Sequence, residues 1–194
     1  MTIRSTLIAT TALLALAGCG QKQDNSSAYA TNSADTFNQA EASAPGAAQT
    51  PAMGASQNFV NTAAASDAFE IETSKLALNN GASASVKAFA KKMIDAHTAS
   101  TAKLKTLTAG MTPALTPDPT LNAEQQQTLD RLKSLNGKAF DEAYIAGQAA
   151  GHQQTLDALK AYATTGDVPQ LKSFATDLIP TVTAHLNMAK GLKA

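Results

Sequence analysis

The chain has 194 residues, of which 15 are Lys or Arg and 15 are Asp or Glu, so its formal net charge at pH 7 is zero. A neutral chain without a run of basic residues lacks the electrostatic footprint of nucleic-acid binding, and we expect no nucleic acid partner. The single cysteine excludes an internal disulfide, and the length suits one modest domain with appended segments.

The N-terminus has the pattern of a bacterial export signal. A short basic segment precedes an apolar run over residues 7–17 that is too short to span a bilayer as a helix and is closed by Leu16-Ala-Gly-Cys19. This stretch resembles a lipoprotein signal with its lipobox. The resemblance implies that residues 1–18 are removed as a signal peptide, that Cys19 is lipidated, and that Gly20 directs the protein to the outer membrane, facing the periplasm. An ordinary secretory signal with a chance cysteine is the alternative.

Residues 19–56 have the composition of a tether. They are rich in Ser, Ala, Asn, Gln, Thr, Pro and Gly and show no hydrophobic period. Such a segment cannot bury enough apolar surface to offset its loss of conformational entropy, so we predict that it is disordered. The folded domain is predicted over residues 57–194, and the lipid on Cys19 would attach it to the membrane.

Four long amphipathic helices and one short helix are predicted in this domain, which makes it all-α. Helix A spans residues 58–79, helix B starts near residue 83 or 85 and ends at 109, helix C spans 138–165, and helix D opens with Asp167 as its N-cap. A proline-rich crossing segment with a short helix after Asn122 separates B from C. This pattern favours an antiparallel four-helix bundle.

Helices B and D begin with a similar sequence. A glycine, an aliphatic residue and a phenylalanine recur at a constant offset of 85 residues, where Gly81, Val86 and Phe89 match Gly166, Leu171 and Phe174. The repeat predicts two helical hairpins, A with B and C with D, related by a pseudo-twofold axis. Chance similarity between two amphipathic helices is the alternative.

Helix C carries polar side chains on the face that packing alone would fill with leucine. At about 100° per residue, Asp141, Tyr144, Gln148 and His152 share one stripe with aliphatic residues further along the helix. The imidazole of His152 is therefore expected inside the bundle.

The other long helices each add one polar residue to the core. His97 on B and His185 on D fall within apolar stripes, and Glu72 on A is predicted to face inward while Glu70 lies on the polar side. The depth of each residue below the end of the bundle can be counted at about 1.5 Å per residue along its helix. This count assumes that the turns after helices A and C lie at the same end. His152, His97 and His185 then lie at about 21, 24 and 28 Å. Glu72 lies at about 13 Å. The three histidines are therefore expected to converge.

Imidazole and carboxylate together form a ligand set for Fe, Mn, Cu or Zn, and bundles build such sites from facing helices. We predict a transition-metal site whose ligands are His97, His152, His185 and Glu72, with Asp141, Tyr144 and Gln148 around them. The alternative is a non-catalytic lipoprotein whose inner polar residues only specify packing through hydrogen bonds. The sequence has no Gly-rich phosphate loop, Cys-x-x-Cys pair, nucleophile elbow or paired Glu-x-x-His motif, so no catalytic residue is assigned.

Each long helix also carries a recognisable motif. The motifs are Glu70-Ile-Glu72-x-x-Lys-Leu-Ala77, Val86-Lys-Ala-Phe-Ala…Met93-Ile-x-x-His97, Gly137-x-x-Phe-Asp141-x-x-Tyr144…Gln148-x-x-x-His152 and Leu171-Lys-x-Phe-Ala…Ile179-Pro180…His185-Leu. Over nearly all of residues 59–192 the chain resembles the bacterial domain-of-unknown-function family 4142, whose members are secreted or lipid-anchored. The resemblance implies a ferritin-like four-helix fold and a shared inner set at Glu72, His97, Asp141, Tyr144, His152 and His185.

One position departs from the family pattern. In the family, an Asp immediately precedes the histidine of helix B, whereas here Ala96 occupies that place and Asp95 lies one residue earlier. A side chain at Asp95 is expected to point about 100° away from the family's direction. A carboxylate contribution from helix B beside His97 is therefore not carried over from the family.

Overall fold

The computed structural model describes residues 51–194, where the chain forms five α-helices and no strand. The helices are α1 (Pro51–Asn80), α2 (Ala84–Ala109), α3 (Ala123–Lys133), α4 (Gly137–Thr165) and α5 (Pro169–Gly191). The all-helical prediction is therefore confirmed for this part of the chain. The predicted signal peptide, Cys19 and most of the predicted tether lie outside the described residues. Within them, no helix combines the length and the apolar character needed to cross a membrane.

Local sequence sets several helix boundaries. α3 begins with a capping box: the Asn122 side chain accepts a hydrogen bond from the backbone N–H of Gln125, and the Gln125 side chain accepts one from the backbone N–H of Asn122. α4 begins at Gly137, whose φ of 62° lies in the left-handed region that favours glycine. The prediction that Asp167 caps the last helix is wrong, because the residue before α5 is Val168.

α1 begins at Pro51, so the predicted boundary between tether and domain at residue 57 is wrong. Ser56, which the composition assigned to the tether, is fully buried. Its hydroxyl lies 2.9 Å from the Tyr162 hydroxyl and donates to Asp167 Oδ1 at 2.8 Å. Phe59, one turn later, stacks on the Tyr162 ring with centroids 4.0 Å apart. These contacts fix the first turns of α1 against the end of α4.

Replacing Ser56 with Ala should lower the free energy of unfolding by about 1–2 kcal/mol, because two buried hydrogen bonds are lost and their partners stay buried. Urea denaturation of the chain from residue 20 onward measures the change. Ser173→Ala, an exposed serine of α5, is the matched control and should leave the urea midpoint within error of the parent. Equal midpoints for the two variants would mean that Ser56 does not support the fold.

The four long helices form a ring. α1 packs on α2 and α4, and α5 packs on α4 and α2, while α3 lies against α1 and α4. The pairs joined by short connections have the most extensive contacts, whereas α2 and α5 touch only over a short stretch. The chain is therefore a helical bundle with one seam, between α2 and α5, where the two backbones come close at only a few positions.

Two apolar clusters fill the interior, and a polar layer separates them. One cluster includes Phe59, Leu159 and Leu171, and the other includes Phe89 and Phe140. Each long helix passes from one cluster to the other part-way along its length. The buried polar side chains at these crossings include Asp67, Glu70, Thr73, His97, Gln148, His152 and His185.

The turns after α1 and α4 lie at opposite ends of the bundle, which corrects the assumption that they share one end. Gly81 and Gly137 form an isolated bridge, so the turn after α1 lies beside the start of α4. Gly166 follows the far end of this 29-residue helix. The histidines still meet because His97 lies close to the middle of α2, where the depth counted from either end is similar.

Candidate metal centre

Three histidines from three helices meet in the polar layer. The ring centroids of His97 and His152 are 5.6 Å apart, those of His97 and His185 are 5.8 Å apart, and those of His152 and His185 are 5.4 Å apart. One ring nitrogen of each histidine lies within 4.8 Å of a ring nitrogen of each of the other two. All three side chains are buried. The structure thus brings together the three histidines that their helix positions predict.

A buried carboxylate orients His97. Its Nδ1 lies 2.8 Å from Asp67 Oδ1, and the Thr101 hydroxyl donates to Asp67 Oδ2 at 3.1 Å. The proton of this ring therefore lies on Nδ1, facing the carboxylate, and Nε2 is the nitrogen that remains for another partner. Nε2 is buried and has no hydrogen bond with any described residue. Metal-binding histidines are commonly held in this way, with the second ring nitrogen bound to a carboxylate.

A backbone carbonyl orients His152. Its Nδ1 lies 2.9 Å from the carbonyl oxygen of Gln148, one turn earlier, so the ring donates there and leaves Nε2 buried without a partner among the described residues. Glu70 Oε1 lies 3.4 Å from the same Nδ1, and neither Glu70 oxygen has a hydrogen bond within the described chain. Gly151 gives this carboxyl its room, because a Cβ at Gly151 would lie 3.0 Å from Glu70 Oε1.

His185 completes the group with a third unsatisfied nitrogen. Its Nδ1 is buried and lacks a hydrogen-bond partner in residues 51–194. A buried polar atom left without a partner costs about 1–3 kcal/mol, so native proteins contain few of them. Three such nitrogens on neighbouring imidazoles therefore require an explanation, and a cation bound to all three would satisfy them together.

Burial sets the protonation of this layer. It lowers the pKa of His152 to about 3 and the pKa of His185 to about 4. It raises the pKa of Glu70 to about 7. Burial also acts to lower the pKa of His97, but the hydrogen bond to Asp67 and the charge of Glu70 outweigh it, so this pKa is raised. His152 and His185 are thus neutral at pH 7, which is the state that binds a metal.

The metal-free protein should lose stability as the pH falls from about 5.5 to about 4.5. In this range unfolding takes up one proton at His152 and one at His185, whose folded pKa values lie below their ordinary 6.5. It releases one proton at Glu70, whose folded pKa of about 7 lies above its ordinary 4.5. The net uptake of about one proton corresponds to about 1.4 kcal/mol per pH unit.

Urea unfolding in the presence of a chelator, at three pH values across this range, measures that slope. Glu70→Gln removes the opposing proton release, so the variant should show about twice the parent's slope. A variant with the parent's slope would contradict the raised pKa of Glu70.

Glu72 does not face the core, so its predicted place among the ligands is wrong. Its side chain is 52% exposed and pairs with Lys75 at 2.8 Å. The inner face of α1 instead carries Asp67 and Glu70, so the prediction that Glu70 lies on the polar side is also wrong. The spacing of Asp67 and Glu70 could have indicated this face, because they lie three residues apart and on the same side of the helix as the buried Ala77. Hydropathy alone predicts that this face of α1 is exposed, because its central residues are charged.

Gln148 and Tyr144 lie on α4 before His152. Gln148 touches the centre, because its carbonyl holds the His152 ring, while its side-chain N–H donates to Thr73 Oγ1 at 3.2 Å. Tyr144 lies one turn further away, and its buried hydroxyl is 2.8 Å from the Ser74 hydroxyl. Tyr144 therefore belongs to the adjoining core, and its predicted place beside the ligands is wrong.

Asp141 is also placed away from the centre, eleven residues before His152 on α4. It is buried, and its carboxylate accepts hydrogen bonds from the backbone N–H groups of Ala82, at 3.1 Å, and Ser83, at 2.8 Å. These groups precede α2 and have no helical partner. The predicted role of Asp141 around the ligands is therefore wrong, and the residue fixes the turn after α1.

The departure from the family pattern on α2 has the expected consequence. Asp95 is exposed, and Ala96 is half-buried beside His97. The carboxylate that holds the His97 ring comes instead from Asp67 on α1.

Comparison with known proteins decides the family. The family described as Domain of unknown function (DUF4142) matches residues 40–192. The chain belongs to this family. The match confirms the resemblance carried by the motifs of the four long helices. No curated protein matches this DUF4142 chain in sequence.

Solved structures share the fold of this DUF4142 domain. CopM in the Cu(I)-bound form aligns with a TM-score of 0.58 and 18% identity, covering 70% of this chain and 92% of the CopM chain. CopM in the Cu(II)-bound form aligns with a TM-score of 0.59 and 18% identity, covering 70% of this chain and 93% of that one. The likeness supports the helical-bundle fold.

Proposed function

We propose that this DUF4142 protein binds a copper ion in the core of its bundle, with His97, His152 and His185 as the ligands. Two observations carry the proposal. Each of the three histidines has a buried ring nitrogen without a hydrogen-bond partner among the described residues, and one ring nitrogen of each lies within 4.8 Å of one on each of the other two. Such nitrogens are costly when left unpaired and are satisfied together by one cation.

The surroundings of the histidines suit this role. Asp67 and the Gln148 carbonyl hold Nδ1 of His97 and His152, which fixes both rings with their Nε2 atoms free. His152 and His185 are neutral at pH 7, so two of the donors need no deprotonation. His97 would keep the Nδ1 proton that faces Asp67 and present Nε2 to the ion.

The donor set favours copper among Fe, Mn, Cu and Zn. Imidazole suits Cu, Zn and Fe, whereas Mn prefers carboxylate and water oxygens, and divalent copper binds a given nitrogen site more tightly than zinc or divalent iron. The CopM structures that share the fold contain Cu(I) and Cu(II), which supports the same choice here. Zinc is the nearest competitor.

We also propose that the protein is a lipoprotein anchored through Cys19 to the outer membrane and facing the periplasm. The support is the lipobox Leu16-Ala-Gly-Cys19 followed by Gly20. Copper would then be held on the membrane surface, where the domain can buffer the ion, and no catalytic residue is assigned. Membrane fractionation tests the anchor, because Cys19→Ser should leave the membrane fraction.

The finer form of the proposed fold is an antiparallel, ferritin-like bundle of two hairpins related by a pseudo-twofold axis. In its support, α1 and α5 run from the Phe59 cluster to the Phe89 cluster, while α2 and α4 run the opposite way. Neighbours in the ring then have opposite directions. An experimental structure with parallel neighbours would overturn this arrangement.

Metal analysis tests the copper proposal directly. Residues 20–194, expressed without a tag, are incubated with equal amounts of Fe, Mn, Cu and Zn, washed with a weak chelator and analysed by mass spectrometry. We expect about one copper per chain. Glu72→Gln is the matched control and should retain all of it, because Glu72 is exposed and paired with Lys75.

Two results would change the conclusion. Zinc bound in preference to copper would assign the site to zinc. A folded protein that takes up none of the four metals would leave the histidines as a packing network.

A further inference from the structure

A small cavity lies beside the histidine centre and is lined by residues of all four long helices. Its volume is about 40 Å³. About 10–15 Å³ of such space holds one water, so the cavity has room for about three waters or one small ligand. The lining residues that matter here are His97, His185 and Asp67 at the centre, and Ala96, Ser100 and Thr181 beside them.

The wall between this cavity and solvent is thin. α2 and α5 touch only over a short stretch, and the α2 side of the seam carries the small, half-buried Ala96 and Ser100, one turn apart. Thr181 on α5 is exposed. His152 lies on the closed side, where it is 1% exposed and its ring centroid lies 6.4 Å from that of Phe89. The seam is therefore the thin side of the centre.

The donor count leaves room for a further ligand. Among the described residues, the group that shares the 4.8 Å spacing consists of the three histidines alone, without Glu70. Catalytic zinc sites with three protein ligands keep a fourth position for water or an external ligand, and a three-histidine Cu(II) site has the same opening.

We propose that the α2–α5 seam is the access route to the copper, and that the fourth ligand is water or a small anion of up to three atoms drawn from this cavity. This inference rests on the proposed copper site. It adds the class of ligand and the path by which that ligand arrives.

Azide is the probe. The Cu(II)-loaded chain is titrated with azide, and the azide-to-copper charge-transfer absorption is followed. We expect a saturable band. Ala96 lines the cavity, so Ala96→Leu fills the space of the fourth ligand, and the copper-loaded variant should bind azide at least tenfold more weakly. Ala99→Leu, at an exposed position of the same helix, should match the parent.

A second variant opens the same route. Ser100→Ala removes a hydroxyl from the seam, so a strong chelator should remove copper from it severalfold faster than from the parent. This arm decides the question if Ala96→Leu fails to fold, because an unchanged release rate would overturn the seam as the route.

The outcomes separate the two proposals. Absence of copper from the parent overturns the proposed function and this inference with it. Copper that binds without an azide band overturns the inference alone. Equal azide affinity in Ala96→Leu and the parent overturns the cavity as the place of the fourth ligand.

Discussion

Replacing His152 with Leu should abolish copper binding and leave the metal-free protein at least as stable as the parent. The imidazole has a buried Nε2 without a partner among the described residues, and its pKa of about 3 shows how strongly burial opposes its charged form. Leu fits a similar volume and brings no polar atom to satisfy. Removing an unsatisfied buried group in favour of an apolar one of similar shape is neutral or stabilising.

The packing alternative predicts the opposite result for the same variant. If His152 only fixes helix register, its loss should destabilise the metal-free protein by about 1–3 kcal/mol, with no change in the response to copper. Urea denaturation with chelator measures the first quantity, and competition against a coloured copper chelator measures the second. Reduced stability together with unchanged copper affinity in His152→Leu would therefore contradict the proposed copper site.

The residues around the ligands should give smaller effects on copper affinity. Asp67→Asn keeps the size of the side chain that holds His97 but removes its charge, and we expect a loss of about 10–100-fold. His152→Leu removes a ligand itself and should exceed that loss. Copper at 100 times its Kd should stabilise the parent by about 2.7 kcal/mol and should not stabilise His152→Leu.

The sequence could predict the histidine centre because three of the helices have clear apolar faces. Large residues such as Phe89 on α2 and Leu156 on α4 fix which side turns inward, and the histidines follow at helical spacing. The neutral imidazole is also apolar enough to fit such a face. The depth of His97 in the bundle could be predicted even with the turns placed at the wrong end. His97 lies near the middle of its long helix, so its depth is similar when counted from either end.

α1 could not be oriented in the same way. It is built largely from Ala, Ser, Thr and Asn, so a stripe through Phe69 and Glu72 is hardly more apolar than the true inner face. That inner face carries Asp67 and Glu70, whose burial depends on histidines from other helices. The burial of Asp67 and Glu70 therefore depends on tertiary contacts, and the hydropathy of α1 alone cannot predict it. The early start of α1 has the same origin, because the partners of Ser56 lie more than 100 residues away.

Asp141→Ala should cost about 2–4 kcal/mol of unfolding free energy without emptying the copper site. The carboxylate accepts hydrogen bonds from Ala82 and Ser83 and is 1% exposed. A hydrogen bond to a charged group contributes about 1.5–3 kcal/mol, and the variant leaves two backbone N–H groups with no side-chain acceptor. Asp141 lies about 16 Å along α4 from His152, too far to act on the ligands directly.

Urea denaturation measures the loss, and Asp157→Ala, at an exposed position of the same helix, is the matched control, expected within about 0.5 kcal/mol of the parent. Gly81→Ala should resemble Asp141→Ala, because a Cβ at Gly81 would lie 2.8 Å from Asp141 Oδ1 and 2.7 Å from the Ala77 carbonyl oxygen. At low urea, folded Asp141→Ala should still bind one copper. If it folds and has lost its copper, the turn after α1 and the histidine centre are coupled, and Asp141 supports the ligands from a distance after all.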